Sequence, residues 1–205
     1  MVEAPAAPVP IHAAATLILW RDGPQGAEVL MGQRGAGAVF MPSKFVFPGG
    51  RVEPDEPPVE GHLSPACRAR MAEAPLSGTP APERIVGAGL RELEEETGLA
   101  LAPGAALRFV FRAITPRGSP RRFDARFLLT PASAIAGDID DFSAASGELS
   151  ALGWLPLPVA RGYDLPFVTE IVLSEVAALI DGQDQPGVPF FDNRGPVPAF
   201  RRLRG

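Results

Sequence analysis

Four glutamates crowd into five positions of the stretch "GLRELEEETGL", residues 89 to 99, at positions 92, 94, 95 and 96. Like charges at this spacing repel one another and destabilise a helix. A divalent cation would turn this repulsion into binding, because Mg²⁺ takes oxygen ligands from carboxylates, waters and substrate phosphates. The alternative is a solvated acidic face with incidental ion pairs.

An apolar stripe beside these glutamates predicts the helix that must position them. Its members recur at spacings of four, three and four, and they are Val86, Leu90, Leu93 and Thr97. The helix is expected over residues 83–97, and Gly98 ends it. Since each helical residue advances by roughly 100°, three carboxylates share a face next to the stripe, namely Glu92, Glu95 and Glu96. Glu94 points away from them and is expected to be solvated.

An upstream segment, "FPGGRVEPDE", supplies a partner for this face. Gly49 and Gly50 allow the backbone to approach closely, and Glu53 and Glu56 follow them. Together the two segments resemble the Nudix box, in which Gly, five residues and Glu precede Arg-Glu-apolar-any-Glu-Glu-any-Gly-apolar. Gly50 to Glu56 fits the first half, and "RELEEETGL" fits every fixed position of the second half.

The chain departs from the box in the spacing between its halves. The box places seven residues between its first Glu and the Arg, whereas thirty-four separate Glu56 from Arg91. The residue eight positions before Arg91 is Glu83. Glu56 therefore has the spacing from Gly50 that the box requires, and Glu83 has the spacing from Arg91 that it requires. We therefore predict an insertion at about 57–82, with a short helix around "SPACRARMAEA". The main helix would restart with Thr79 as its cap and Pro82 in its first turn.

The resemblance implies a fold, a reaction and a metal. The expected fold is α/β, an α/β/α sandwich with a central mixed β-sheet, formed by one domain over residues 12–205 after a flexible segment at 1–11. Members of the family hydrolyse diphosphates linked to another moiety and use Mg²⁺ or Mn²⁺. By resemblance, Arg91 would hold the carboxylates by a salt bridge, and the metal ligands would be Glu92, Glu95 and Glu96. The catalytic base stays open among Glu53, Glu92 and Glu148.

Several further residues are candidates for substrate binding. Arginine matches phosphate oxygens with two donors, and a solvated strand end is the alternative reading. Asp124 lies in an alternating strand, where it would either pair with an arginine or line the cleft. The predicted substrate-binding residues are Arg34, Gly49, Gly50, Arg122 and Asp124.

The split box and the loop "FMPSKFVFPGG" resemble one subgroup more closely, the CoA diphosphatases, and so does "ITPRGSPRRFDARFLL". The match is partial. Arg34 fits the first arginine of the subgroup's upstream pattern, but Gly35, Val39 and Ser43 depart from it. CoA or acyl-CoA is thus one expected substrate, with ADP-ribose, NADH and other nucleoside diphosphate derivatives as alternatives. A Nudix-fold sensor that binds such a ligand without cleaving it is a second class of function.

Composition limits the other classes of function. A net charge of -5 disfavours a nucleic-acid polymer as partner, which would need a basic face. One cysteine and two histidines make a zinc site improbable and exclude an internal disulfide. The N-terminus lacks the pattern of a signal peptide, and no apolar run is long enough to span a membrane. A cytoplasmic enzyme, as a monomer or a homodimer, is expected.

Overall fold

The computed structural model describes residues 9–205, which form eleven strands, four α-helices and a short 3-10 helix at Ala132–Ala134. The strands are β1 (Ile11–Gly23), β2 (Gly26–Arg34), β3 (Phe45–Val46), β4 (Gly49–Arg51), β5 (Ala100–Leu101), β6 (Arg108–Ile114), β7 (Arg122–Pro131), β8 (Ile135–Ala136), β9 (Leu149–Pro156), β10 (Val188–Asp192) and β11 (Ala199–Leu203). The helices are α1 (Pro65–Ala72), α2 (Pro82–Thr97), α3 (Leu157–Ala160) and α4 (Phe167–Ile180). The segment expected to be flexible, 1–11, lies mostly outside the described residues, and its last residue already belongs to β1.

A mixed sheet of nine strands forms the middle of the described part of the chain. The order of its strands is β11-β10-β6-β7-β1-β2-β3, and β4 and β9 pair with β1 and β2 respectively. The pairs β1–β7 and β6–β10 are parallel, and the other pairs are antiparallel. On one edge, the long β1 therefore pairs with β4, which contains Gly49 and Gly50. On the other edge, it pairs with the alternating strand β7.

Helices cover both faces of this sheet. On one face, α1 and α2 bury Met71, Ile85 and Leu93 against apolar residues of β1, β6 and β7. On the other face, α4 buries a largely apolar surface that includes Val172 and Val176. The expected α/β/α sandwich with a central mixed sheet is confirmed. Among residues 9–205, no helix has both the length and the apolar character needed to cross a membrane.

The segment predicted as an insertion packs beside α2. His62 lies with its Nδ1 atom 2.7 Å from the carbonyl oxygen of Ala105, and α1 buries Cys67 and Met71 in the core. The predicted cap of α2 is wrong: the Thr79 hydroxyl accepts from the N–H of Leu76, and Ala81 precedes the helix without a side-chain cap. Proline fits the start of α2, since it presents no N–H where none is needed.

Candidate active site

The segment with Gly49 and Gly50, here called the glycine segment, lies directly on the face of α2 that carries Glu92, Glu95 and Glu96, the glutamate face. The N–H of Gly49 donates to Glu96 Oε2 over 2.8 Å. A Cβ atom added to Gly50 would lie 2.1 Å from Glu92 Oε1, and one added to Gly49 would lie 2.4 Å from the carbonyl oxygen of Ala15. Both distances are too short for non-bonded atoms. Glycine is therefore required at position 49 by the β1 backbone, whereas a side chain at position 50 would displace the Glu92 carboxylate.

Arg91 joins the two halves of the predicted motif. Its Nη2 atom lies 2.9 Å from Glu56 Oε2, and its Nη1 atom lies 2.8 Å from Glu92 Oε1 and 3.1 Å from Glu95 Oε2. Glu83, the other residue that satisfied half of the spacing rule, pairs instead with Arg68. The structure thus brings Glu56, and not Glu83, to Arg91.

The three carboxylates of the face differ in burial. The side chain of Glu96 is almost fully buried, Glu92 is mostly buried, and Glu95 is exposed. Burial raises the pKa of Glu96 to about 8, against the lowering effect of the Gly49 hydrogen bond, and the charges of Glu92 and Glu148 add to the rise. Burial also raises the pKa of Glu92, although Arg91 opposes it. Burial thus disfavours the charged form of both carboxylates, and a nearby cation would favour it.

Two further carboxylates named as candidate bases border the same cleft, and each has an arginine partner. Glu148 lies on the loop before β9, and its Oε1 atom is 3.2 Å from Arg34 Nη2. Both oxygens of Glu53 accept hydrogen bonds from Arg51, at 2.9 and 3.1 Å. Glu148 also acts electrostatically on both Glu92 and Glu96. The loop that carries it is tied to the last turn of α2, since the N–H of Ser146 donates to the Glu95 carbonyl.

The cleft has a volume of about 770 Å³, within the range of small-molecule sites. One end carries the charged groups just described. The other end is apolar and is lined by side chains from β3, β7, α4 and β10, including Phe47, Phe123, Phe127, Phe167 and Phe191. Such a surface suits a stacked base or an aliphatic chain. The predicted alternation of β7 is confirmed, because Phe123, Ala125 and Phe127 face the cleft.

Two of the predicted substrate-binding residues are on the wrong side of the sheet. Asp124 is 1% exposed and binds Arg112 Nε and Nη2 at 2.7 and 2.8 Å, and Arg126 lies 3.0 Å from it. Arg122 is buried and donates to the carbonyl oxygens of Thr115 and Asn193. Neither residue lines the cleft. Since neighbouring side chains of a strand face opposite ways, the phenylalanines that line the cleft turn these two residues away from it.

The other predicted site residues lie together. The cleft is lined by Arg34, Gly49, Gly50 and Arg91 together with the carboxylates of Glu53, Glu92, Glu95 and Glu148. Glu96 does not line it and binds the Gly49 N–H instead. No residue of 57–82 lines it. The substrate-binding residues predicted from the sequence leave out Phe40, Arg121 and the phenylalanines of the apolar end. The alternation of β7 could have identified Phe123 and Phe127, but the others come from separate loops, a helix and strand β10, with no local signal.

Comparison with known proteins was made at three levels. No family model matches the chain, and no curated protein matches its sequence. Solved structures do match. A NUDIX hydrolase from Alicyclobacillus acidocaldarius is 23% identical, with 83% of this chain and 93% of that chain covered and a TM-score of 0.59. A MutT NUDIX hydrolase from Burkholderia pseudomallei is 21% identical over 82% and 98% of the chains, with a TM-score of 0.53. An Ap4A hydrolase from C. elegans is 16% identical over 84% and 99%, with a TM-score of 0.51.

The chain has the Nudix hydrolase fold. The match covers nearly the whole length of both NUDIX hydrolase structures. The remaining 17% of this chain, beyond the 83% covered, has no counterpart in the A. acidocaldarius structure.

The carboxylates on α2 of this Nudix fold suit Mg²⁺ or Mn²⁺ in chemistry and charge, because hard divalent cations take anionic oxygen ligands. In this structure, these carboxylates are not arranged as the ligands of one metal ion. Within residues 9–205, no three acidic, His or Cys side chains are grouped as a metal site. Glu96 is turned to the Gly49 N–H, while Glu92 and Glu95 are turned to Arg91. A cation would therefore have to compete with Arg91 for the latter two.

Proposed function

We propose that this protein is a Nudix diphosphatase that hydrolyses the pyrophosphate bond of a nucleoside diphosphate derivative, with Mg²⁺ or Mn²⁺ held by Glu92, Glu95 and Glu96. The observation that carries the proposal is the Arg91–Glu56 ion pair. Although thirty-four residues lie between them, this pair joins the glutamate of the first half of the motif to the arginine of its second half. The overlap of the glycine segment with the glutamate face supports it too.

Each residue of the site has a proposed part in this reaction. Arg91 positions Glu92 and Glu95 and is itself held by the buried Glu56. The Gly49 N–H orients Glu96. Arg34 binds Glu148 and lines the cleft, so that it would hold this carboxylate and also donate to the phosphate oxygens of the substrate. When bound, the divalent cation would neutralise the diphosphate and polarise its phosphorus–oxygen bonds.

We assign the proton transfer to Glu148. A water oxygen bonds to one phosphorus, its proton passes to the carboxylate, and the bond from that phosphorus to the bridging oxygen breaks. The bridging oxygen leaves on the other phosphate, which gives two monophosphates. Glu148 has one oxygen engaged by Arg34 and the other without a hydrogen-bonding partner among residues 9–205, whereas Arg51 occupies both oxygens of Glu53. A free acceptor oxygen is what a general base needs.

The apolar end of the cleft supports a substrate with a base or an acyl chain. CoA and acyl-CoA stay within the proposal, along with ADP-ribose and NADH. Acyl recognition by the insertion is not supported, because residues 57–82 do not reach the cleft.

The proposal is tested by incubating the protein with Mg²⁺ or Mn²⁺ and CoA, acyl-CoA, NADH or ADP-ribose, and separating the products by chromatography. Release of a nucleoside monophosphate or its 3′-phosphate is expected. Glu96→Gln should abolish it, while Glu94→Gln should retain it, because Glu94 is exposed on the same helix and lacks a partner among residues 9–205. Full activity of Glu96→Gln, or no cleavage of any substrate by the wild type, would refute the proposal.

A further inference from the structure

A second pocket adjoins the cleft at the Arg34–Glu148 ion pair. We call it the loop pocket, because most of its own lining comes from the loop that follows β2. Its volume is about 410 Å³. It shares with the cleft the side chains of Arg34, Phe40, Arg121 and Glu148, and it adds Ala38 and Val39. The two spaces therefore meet where the diphosphate of the proposed substrate would lie.

Donors for an anion are in excess at this junction. Arg34 uses Nη2 for Glu148, but its Nε atom is buried without a partner in the described part of the chain. An unsatisfied buried donor is costly. Arg121 is exposed, lines both spaces, and has no hydrogen-bond or ion-pair partner within residues 9–205. Two guanidinium groups thus face one carboxylate, which leaves positive charge for phosphate oxygens.

Beside its charged groups, the loop pocket has an open apolar wall formed by Ala38, Val39 and Phe40. Val39 is 63% exposed, and Phe40 packs edge-on against Phe123 with ring centroids 5.1 Å apart. A Cβ atom built on Gly35 or Gly37 would meet nothing within 4 Å. An organic group could therefore occupy this space without displacing any protein atom, and it would cover the exposed valine.

We infer that the loop pocket receives the second organic substituent of the diphosphate, so that the protein prefers substrates with organic groups on both phosphates over nucleoside triphosphates. The inference rests on the proposed function. Val39 is then a specificity-determining residue, since it contacts only the second substituent. Arg121 binds the phosphate oxygens at the junction, which both kinds of substrate possess. A nucleoside triphosphate places no organic group in the loop pocket and leaves the apolar wall uncovered.

The test compares two substrates that both release AMP, ADP-ribose and ATP, with CoA and NADH as further two-ended substrates. Val39→Trp fills the loop pocket, and Val197→Trp is its control, because Val197 is 75% exposed and does not line either space. Arg121→Gln is compared with Arg108→Gln, an exposed arginine at the opposite end of β6 from the cleft.

The wild type is expected to have a higher kcat/KM for at least one two-ended substrate than for ATP. Val39→Trp should lower that value about tenfold or more and leave cleavage of ATP unchanged, whereas Arg121→Gln should raise KM for both kinds. The two controls should behave as the wild type. Equal effects of Val39→Trp on both kinds of substrate, or no effect, would overturn the inference while the proposed function stands. If the wild type cleaves no diphosphate at all, the proposed function fails and this inference fails with it.

Discussion

Arg91 and Glu56 are 35 positions apart in the chain, yet the Nη2 atom of the arginine lies 2.9 Å from a carboxylate oxygen of the glutamate. The glutamate side chain is 2% exposed. Glu83, eight positions before Arg91, binds Arg68 of α1 instead. The ion pair therefore decides which of two glutamates orients the arginine that holds Glu92 and Glu95.

Glu56→Gln should lower activity by about 10- to 100-fold, as expected for loss of a residue that orients the groups around a metal. Without the charge of Glu56, Arg91 is free to pair more tightly with the proposed metal ligands. The measurement is kcat/KM as a function of Mg²⁺ concentration. Glu83→Gln is the matched control and should keep wild-type kinetics. Equal loss of activity in both variants would mean that Glu56 has no special role.

Gly50→Ala should impair the site and spare the fold. The new methyl group would lie 2.1 Å from Glu92 Oε1, so that this carboxylate must move away from its place beside Arg91. Mispositioning of this kind can cost about 10²-fold in rate. Gly153→Ala provides the control, because a Cβ atom there meets nothing within 4 Å. Kinetics and the thermal midpoint of both variants are to be compared; a Gly50→Ala enzyme with wild-type kcat would contradict the argument.

Glu148→Gln should lower kcat by about 10²- to 10⁴-fold, the usual contribution of a general base. Glu53→Gln should have a smaller effect on kcat, since its two oxygens are already occupied by Arg51. The pH dependence of kcat separates the base from a residue that only shapes the site, because the acidic limb of the profile should be lost with the base. If Glu53→Gln, and not Glu148→Gln, removes this limb, then Glu53 is the base.

Asp124→Asn should destabilise the protein by about 3–5 kcal/mol, because it leaves two buried guanidinium groups without a counter-charge. Arg112 and Arg126 are both 0% exposed. Even beside this aspartate, burial lowers the pKa of Arg126 to about 10, and the charge of Arg112 lowers it further while Asp124 opposes both. Denaturant unfolding measures the effect, with Asp184→Asn as an exposed control.

A second variant keeps the Asp124 prediction testable if Asp124→Asn does not fold. Replacing Arg112, Asp124 and Arg126 together by apolar residues of similar volume removes every buried charge of the triad. This variant should fold and regain much of the lost stability, as buried ion pairs often do not stabilise more than apolar packing does. A destabilisation of Asp124→Asn no larger than that of Asp184→Asn would show that the triad does not depend on this charge.

The sequence by itself determined the helix α2, its glutamate face and the motif to which it belongs. These features are local: an apolar stripe at helical spacing, a glycine at the end, which lies in the left-handed region with a φ of 76°, and carboxylates on the adjacent face. The alternation of β7 was equally local. It predicted two faces correctly, although the pattern alone did not say which face met the cleft and which met the core.

Only the tertiary structure decided that question, and it placed Asp124 and Arg122 in the core face. A period of two separates the faces of a strand, but the choice between them depends on what packs on each side. Here α1 and α2 cover one face, and a buried arginine from β6 compensates Asp124. The choice of Glu56 over Glu83 was undecidable from spacing for the same reason, because an insertion changes distance in sequence without changing distance in space. The apolar end of the cleft and the loop pocket are assembled from separate segments, so that no single stretch of sequence carries them.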